Sequence, residues 1–194
     1  MPGPLIETLS ATATAPGDNV ILLSGAHEVV GEAPRASVHT RQTPLHLAFS
    51  CYIFNGTGEM LLTRRALGKR TWPGVWTNTC CGHPRPGEDM TEAIRRRLDH
   101  ELGLSVGELN CVLPDFAYTA IDASGIVENE VCPVFWTRLT HPTPPLAPNP
   151  DEVMDWKWGQ WDDVVMSARL TPYVFSPWAV QQLSLLAPLD LGSG

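Results

Sequence analysis

The chain has no apolar run long enough to cross a membrane. It also has no charged N-terminal region leading into an apolar core, so neither a span nor a secretory leader is expected. Cations are scarce: 13 Lys and Arg against 21 Asp and Glu leave a formal net charge of −8 over 194 residues. That balance argues against nucleic-acid partners and against a basic surface that sits on membranes. Charged residues reach only 18% and hydrophobic residues 43%, an ordinary composition for a globular protein. The five cysteines (Cys51, Cys80, Cys81, Cys111, Cys132) are odd in number and lack zinc-ribbon spacing. They point to reduced thiols and a cytoplasmic setting. There is no internal repeat. The length predicts one domain over residues 18–188, with a Pro/Gly/Ala/Thr-rich tail at 1–17 and a short tail at 189–194.

Hydrophobic patterning predicts an α/β domain with a mixed sheet. Val20–Leu23 reads as a first strand, and Val29-Val30 as part of a second. His46 opens an apolar strand through Phe54. Asn55-Gly56-Thr57-Gly58 is a hairpin turn, and Met60–Thr63 returns from it. Residues 88–102 form the expected helix, with Met90, Ile94 and Leu98 on one stripe and Gly103 as the stop. Pro114–Tyr118, Val127–Val131, Val134–Trp136 and Met154–Trp158 read as extended. A helix start is expected over 160–166 and a C-terminal helix over 178–186.

The chemistry concentrates around Trp72-Pro73-Gly74-Val75-Trp76-Thr77-Asn78-Thr79-Cys80-Cys81-Gly82-His83-Pro84. In an extended segment, residues two apart share a face, so Cys81 and His83 are expected on one side of a cleft and Cys80 on the other. Just upstream, Arg64, Arg65, Lys69 and Arg70 fall within seven positions of an otherwise acidic chain. An anion site, for phosphate, is the functional reading. In Val127-Glu128-Asn129-Glu130-Val131, strand alternation puts both carboxylates on one face. Two like charges there call for a cation between them. His39, His46 and His83 join Glu128 and Glu130 as the candidate metal set. Such nitrogen and carboxylate donors suit Mn²⁺, Zn²⁺ or Mg²⁺.

Gly82, Glu88, Arg96, Glu101 and Gly103 match the skeleton of the Nudix box. Arg97 stands where a Nudix hydrolase has a glutamate, and His100 where the first of its paired glutamates falls. Six flanking stretches, among them Leu45–Ser50, Thr63–Ala66, Trp72–Asn78, Cys81–Pro84, Gly125–Val131 and Phe175–Trp178, make the chain resemble the type I isopentenyl-diphosphate Δ-isomerase family over nearly its whole length. The resemblance implies a Nudix-like mixed sheet sandwiched by helices. It implies Cys81 as catalytic thiol, Glu130 as catalytic carboxylate and metal ligand, and Tyr118 beside that carboxylate. His39, His46, His83 and Glu128 complete the implied ligand set, for Mn²⁺ or Zn²⁺. Glu101 is implied to hold a Mg²⁺ that arrives with the diphosphate. Arg65 and Lys69 are implied diphosphate contacts, with Arg35 in place of a usual lysine and Arg97 as a further contact. Trp178 is implied to lie over the substrate's carbons. The expected partner is a homoallylic or allylic diphosphate. The expected reaction protonates a terminal alkene on one face and takes a proton from the neighbouring methylene with a thiolate on the other. The tryptophans would exclude water from the cation as lids. A Nudix diphosphohydrolase and a non-catalytic metal-stabilised binding domain are the competing readings.

Overall fold

The computed structural model describes residues 17–139, 143–189 and 191. Nearly all of the expected N-terminal tail, residues 140–142, and residues 190 and 192–194 of the expected C-terminal tail lie outside the described residues. Among the described residues two mixed sheets are present. The first has five strands, in the spatial order Val29–Pro34 (β2), Asn19–Leu23 (β1), His46–Leu47 (β3), Val127–Val131 (β10) and Ala117–Ile121 (β9). The second is built on Val153–Gln160 (β12), Glu59–Arg65 (β5), Phe49–Phe54 (β4), Val134–Arg138 (β11) and Asn110–Leu113 (β8). The short strands Trp76–Thr77 (β6) and Cys80–Gly82 (β7) pair with β5 and β4. Four helices accompany them: Arg35–Val38 (α1), Met90–Leu102 (α2), Trp161–Leu170 (α3) and Pro177–Leu186 (α4).

The apolar run from His46 to Phe54 is not one strand. It crosses between the sheets at Ala48, whose N–H donates to Val131 O at 2.8 Å. His46-Leu47 pair with β10 in parallel, whereas Phe49–Phe54 pair with β11 in parallel. All of β4 is buried, because both of its faces are covered. Phe49, Cys51 and Ile53 enter a core shared with Ile94, Leu98 and Leu102 of α2. Tyr52 and Phe54 enter the opposite core, with Trp161 of α3 and Trp178, Leu183 and Leu186 of α4. The helices therefore sandwich the larger sheet, as expected.

Helix α2 starts at Met90, two residues later than periodicity suggests. Asp89 is its N-cap and accepts from the Thr91 and Glu92 N–H groups. Glu88 belongs to the preceding turn, where it takes the Arg85 N–H at 2.8 Å and both Arg96 nitrogens at 2.7 and 2.8 Å. Gly103 ends the helix at φ 61°, and a Cβ there would meet Ala147 Cβ at 2.9 Å. The loop before β12 straps this end through Ala147 N–H to Leu102 O and Asn149 N–H to Glu101 O. Patterning missed two elements. One is α1, a single turn after Pro34; the other is β8, an edge strand without alternation.

Candidate active site

Strand register assembles the carboxylates and histidines. Glu130 of β10 lies opposite His46 on one side and opposite Tyr118 of β9 on the other. Tyr118 therefore donates its hydroxyl to Glu130 Oε2 at 2.9 Å. His83 follows β7, and its Nε2 is 3.0 Å from Glu130 Oε1. His39 follows α1, whose exit is tied to β10 by Val127 N–H donating to Thr40 O. His39 Nε2 and His46 Nε2 stand 3.9 and 3.4 Å from that same oxygen. His39, His46, His83 and Glu130 thus bring four ligand atoms within 4.8 Å of one another. Glu128 adjoins this group. Its Oε1 accepts from Thr71 Oγ1 at 2.6 Å, and its Oε2 lies 2.9 Å from His39 Nε2.

A divalent cation fits these donors. His46 Nδ1 faces Pro44 O at 2.9 Å, and a carbonyl only accepts, so the proton sits on Nδ1 and the Nε2 lone pair points inward. His46 Nε2 and His83 Nε2 are only 3.2 Å apart. His39 Nε2 and Glu128 Oε2 are buried and, despite their short separation, make no hydrogen bond with proper geometry. Such inward-facing polar atoms are the mark of a ligand set rather than of a hydrogen-bonded cluster. Burial draws His83 down to about 4, which keeps its ring neutral. Burial also opposes charge on His39, yet Glu128 and Glu130 beside it hold it up at about 9.

These groups open onto a cleft of about 980 Å³, counting its open mouth. Cys81, Tyr118 and Trp178 line it, and so do His39, His83, Glu128 and Glu130. His46 is fully buried behind it. Six cations, Arg35, Arg65, Lys69, Arg70, Arg96 and Arg97, share the same walls. Arg64 is not among them: its Nε donates to Gly74 O at 2.8 Å and folds the Pro73-Gly74 turn. Arg35 is held by Asp18 at 2.9 Å. Arg65 donates to Thr71 O and Trp72 O, and lies 5.4 Å over the Trp178 ring. Burial lowers Lys69 to about 8. Glu101 faces not the main cleft but an adjoining recess that Arg65, Lys69 and Cys81 also line.

As expected for alternation, Cys80 is buried in the α2 core and Cys81 faces the cleft. The preceding Asn78 fixes the thiol's surroundings. Its Nδ2 donates to Cys51 O and Cys80 O, which leaves Oδ1 as the acceptor for the Cys81 thiol at 3.0 Å and for Trp178 Nε1 at 3.1 Å. Burial pushes Cys81 up to about 11, although the Ser50 hydroxyl and Arg65 pull the other way. Desolvation of the anion and the Asn78 acceptor both favour the thiol over the thiolate here, the ordinary form of an unactivated cysteine. Trp178 is only 2% exposed, packs edge-on to Trp72 at 5.5 Å and forms a wall of the cleft.

Behind Cys81 runs a buried polar chain that sequence reasoning did not single out. Tyr52 donates to Gln182 Oε1 at 2.9 Å, which turns Gln182 Nε2 toward Ser50 Oγ, also at 2.9 Å. The Ser50 hydroxyl proton then remains for Cys81 Sγ at 3.5 Å or Cys132 Sγ at 3.4 Å. The only sequence signal is polarity within apolar stretches. Gln182→Leu would leave the Tyr52 hydroxyl without its acceptor and Ser50 Oγ without its donor, each at about 1–3 kcal/mol. A denaturant melt should show a loss in that range or larger; an unchanged midpoint would contradict the chain's polarity.

A NUDIX domain profile matches residues 44–179, and solved structures agree on the fold. A crystal structure of a Deinococcus radiodurans protein superposes with a TM-score of 0.65 at 18% identity, covering 86% of this chain and 98% of that one. The MutT protein of Methanosarcina mazei superposes with 0.59 at 17%, covering 76% and 96%. Fold and box together define a Nudix domain. The curated relatives are more specific. "Isopentenyl-diphosphate Delta-isomerase" of Paenarthrobacter aurescens is 55% identical over 179 residues, 90% of this chain and 96% of the relative. The protein of that name from Frankia alni is 53% identical over 173 residues, 89% and 88%. The chain belongs to the isopentenyl-diphosphate Delta-isomerase family of Nudix proteins.

Proposed function

We propose that the chain interconverts isopentenyl diphosphate and dimethylallyl diphosphate by adding one proton and removing another, serving isoprenoid biosynthesis in the cytoplasm. The observation that carries this reading is the meeting of a cleft thiol, Cys81, with the Tyr118–Glu130 pair beside a cluster of cationic side chains. Arg35, Arg65, Lys69 and Arg97 bind the diphosphate, and Glu101 takes the Mg²⁺ that accompanies it. His39, His46, His83, Glu128 and Glu130 hold Mn²⁺ or Zn²⁺. That ion supplies a fixed positive charge beside the Glu130 carboxylate, which tunes the acidity of the group. Cys81 serves one face of the carbon skeleton, and Glu130 with Tyr118 serves the other. One delivers a proton to the terminal alkene carbon, and the other receives the proton leaving the adjacent methylene. The tertiary cation between these steps lies against the Trp178 indole face, where the ring's negative potential stabilises it. Fixed aromatic walls keep water from capturing it as an alcohol.

The hydrolase reading needs a full cluster of carboxylates on the Nudix helix, and Arg97 and His100 stand at two of those positions. Product analysis separates the two: incubation with isopentenyl diphosphate should yield dimethylallyl diphosphate without phosphate release. Glu101→Gln should raise the Mg²⁺ concentration needed for half-maximal turnover by about ten-fold or more, while the purified protein keeps its other ion. Elemental analysis beside a Mg²⁺ titration checks this, and equal loss of both ions would sink the two-site reading.

A further inference from the structure

The reaction outlined above leaves one half-buried carboxylate without a role. Glu152 sits immediately before β12, fixed by its N–H donating to Asn149 O and by its carbonyl accepting from Ala66 N–H, both at 3.0 Å. Its side chain is 13% exposed. Oε2 pairs with Lys69 Nζ. Oε1 is 3.2 Å from Arg97 Nη2 and 3.3 Å from His100 Nε2. Glu152 therefore gathers two cations, from the loop after β5 and the middle of α2, and an imidazole from the last turn of α2. It shares the recess beside Cys81 with Glu101, the other carboxylate that Arg97 contacts.

This geometry has a consequence for ligand binding. Lys69 and Arg97 are long side chains with several rotamers, and a carboxylate that touches both holds them in one arrangement. A buried cation that loses its partner is strongly penalised. If Glu101 turns toward a divalent ion, Arg97 loses one of its two carboxylate partners, and Glu152 remains to hold it. Both Glu152 oxygens already face cations, so Glu152 is placed as a counter-ion and not as a second ion ligand.

We propose that Glu152 is a positioning residue of the diphosphate site, a standing counter-ion that fixes Lys69 and Arg97 toward the anion whether or not Glu101 is engaged elsewhere. This rests on the proposed isomerase reading for its substrate, though not for its chemistry, because any diphosphate would meet the same two cations.

The test uses the full-length, metal-loaded protein and inorganic pyrophosphate as probe. Calorimetric titrations are run with and without added Mg²⁺, beside steady-state turnover of isopentenyl diphosphate. Glu152→Gln keeps the shape and loses the charge. It should weaken pyrophosphate binding about ten-fold in both titrations and raise KM similarly, with kcat within about two-fold of the parent. Glu152→Asp keeps the charge one methylene further back, and should show a smaller loss with the same indifference to Mg²⁺. If Glu152→Gln does not fold, the claim stands or falls on Glu152→Asp. Unchanged pyrophosphate binding would overturn the proposal. A loss seen only with Mg²⁺ would also overturn it, by making Glu152 an ion ligand. A kcat collapse with unchanged KM would overturn it as well. A parent protein that binds pyrophosphate but does not isomerise would count against the function, not against Glu152.

Discussion

Cys81→Ala should lower turnover by about 10²–10⁴-fold or more, the usual worth of a positioned proton-transfer group, while metal content stays at the parent level. The sulfur touches Ser50 and Asn78 and no member of the histidine cluster, so removing it leaves the donor set intact. The fold should survive too, because β7 is held by backbone pairing of Ser50 with Cys81 and of Phe49 with Gly82. Turnover and elemental analysis of the same preparation check both halves. Loss of metal would count against the assignment of Cys81, and so would near-parental activity.

Glu130→Gln should remove both activity and metal. Glu130 Oε1 is the point toward which three imidazole Nε2 atoms turn, at 3.0, 3.4 and 3.9 Å. An amide there deletes the one carboxylate common to all three and puts an N–H₂ or a neutral oxygen against their lone pairs. Changes merely adjacent to metal ligands commonly cost 10–100-fold in affinity, so losing a ligand should cost at least about that. The Tyr118 hydroxyl loses its charged acceptor in the same step. Metal content after dialysis, measured beside turnover, decides the matter. Full metal retention in an inactive protein would confine Glu130 to chemistry; retention of both would remove it from the site. Together with Cys81→Ala, this variant separates loss of the thiol from loss of the ion.

Much of this site was legible in the sequence because it depends on local periodicity. The alternation of Glu128 and Glu130, the shared face of Cys81 and His83, and the Asn55–Gly58 turn each follow from spacing within one element. What spacing could not give is register. His46 meets Glu130 only because β3 runs parallel to β10, a pairing between residues 84 positions apart in sequence. Likewise, the break at Ala48 was invisible because the chain is apolar on both sides of it, and burial on both faces erases the alternation that marks a strand's end. Residues acting through others were missed for a related reason. Asn78, Ser50 and Gln182 come from three separate elements and acquire meaning only where Asn78 fixes the thiol's acceptor and Gln182 turns Ser50 toward it. Glu152 lies between the Pro-rich segment 141–150 and the extended stretch expected from Met154, where no pattern marks it.

The central claim is that one proton enters the carbon skeleton and another leaves it. The most direct measurement is incubation with isopentenyl diphosphate, Mg²⁺ and Mn²⁺ in D₂O, followed by NMR. The account predicts dimethylallyl diphosphate carrying deuterium in a methyl group. Release of inorganic phosphate or isopentenyl monophosphate would contradict it in favour of hydrolysis. Unchanged substrate over a metal-loaded protein would contradict it in favour of a binding domain.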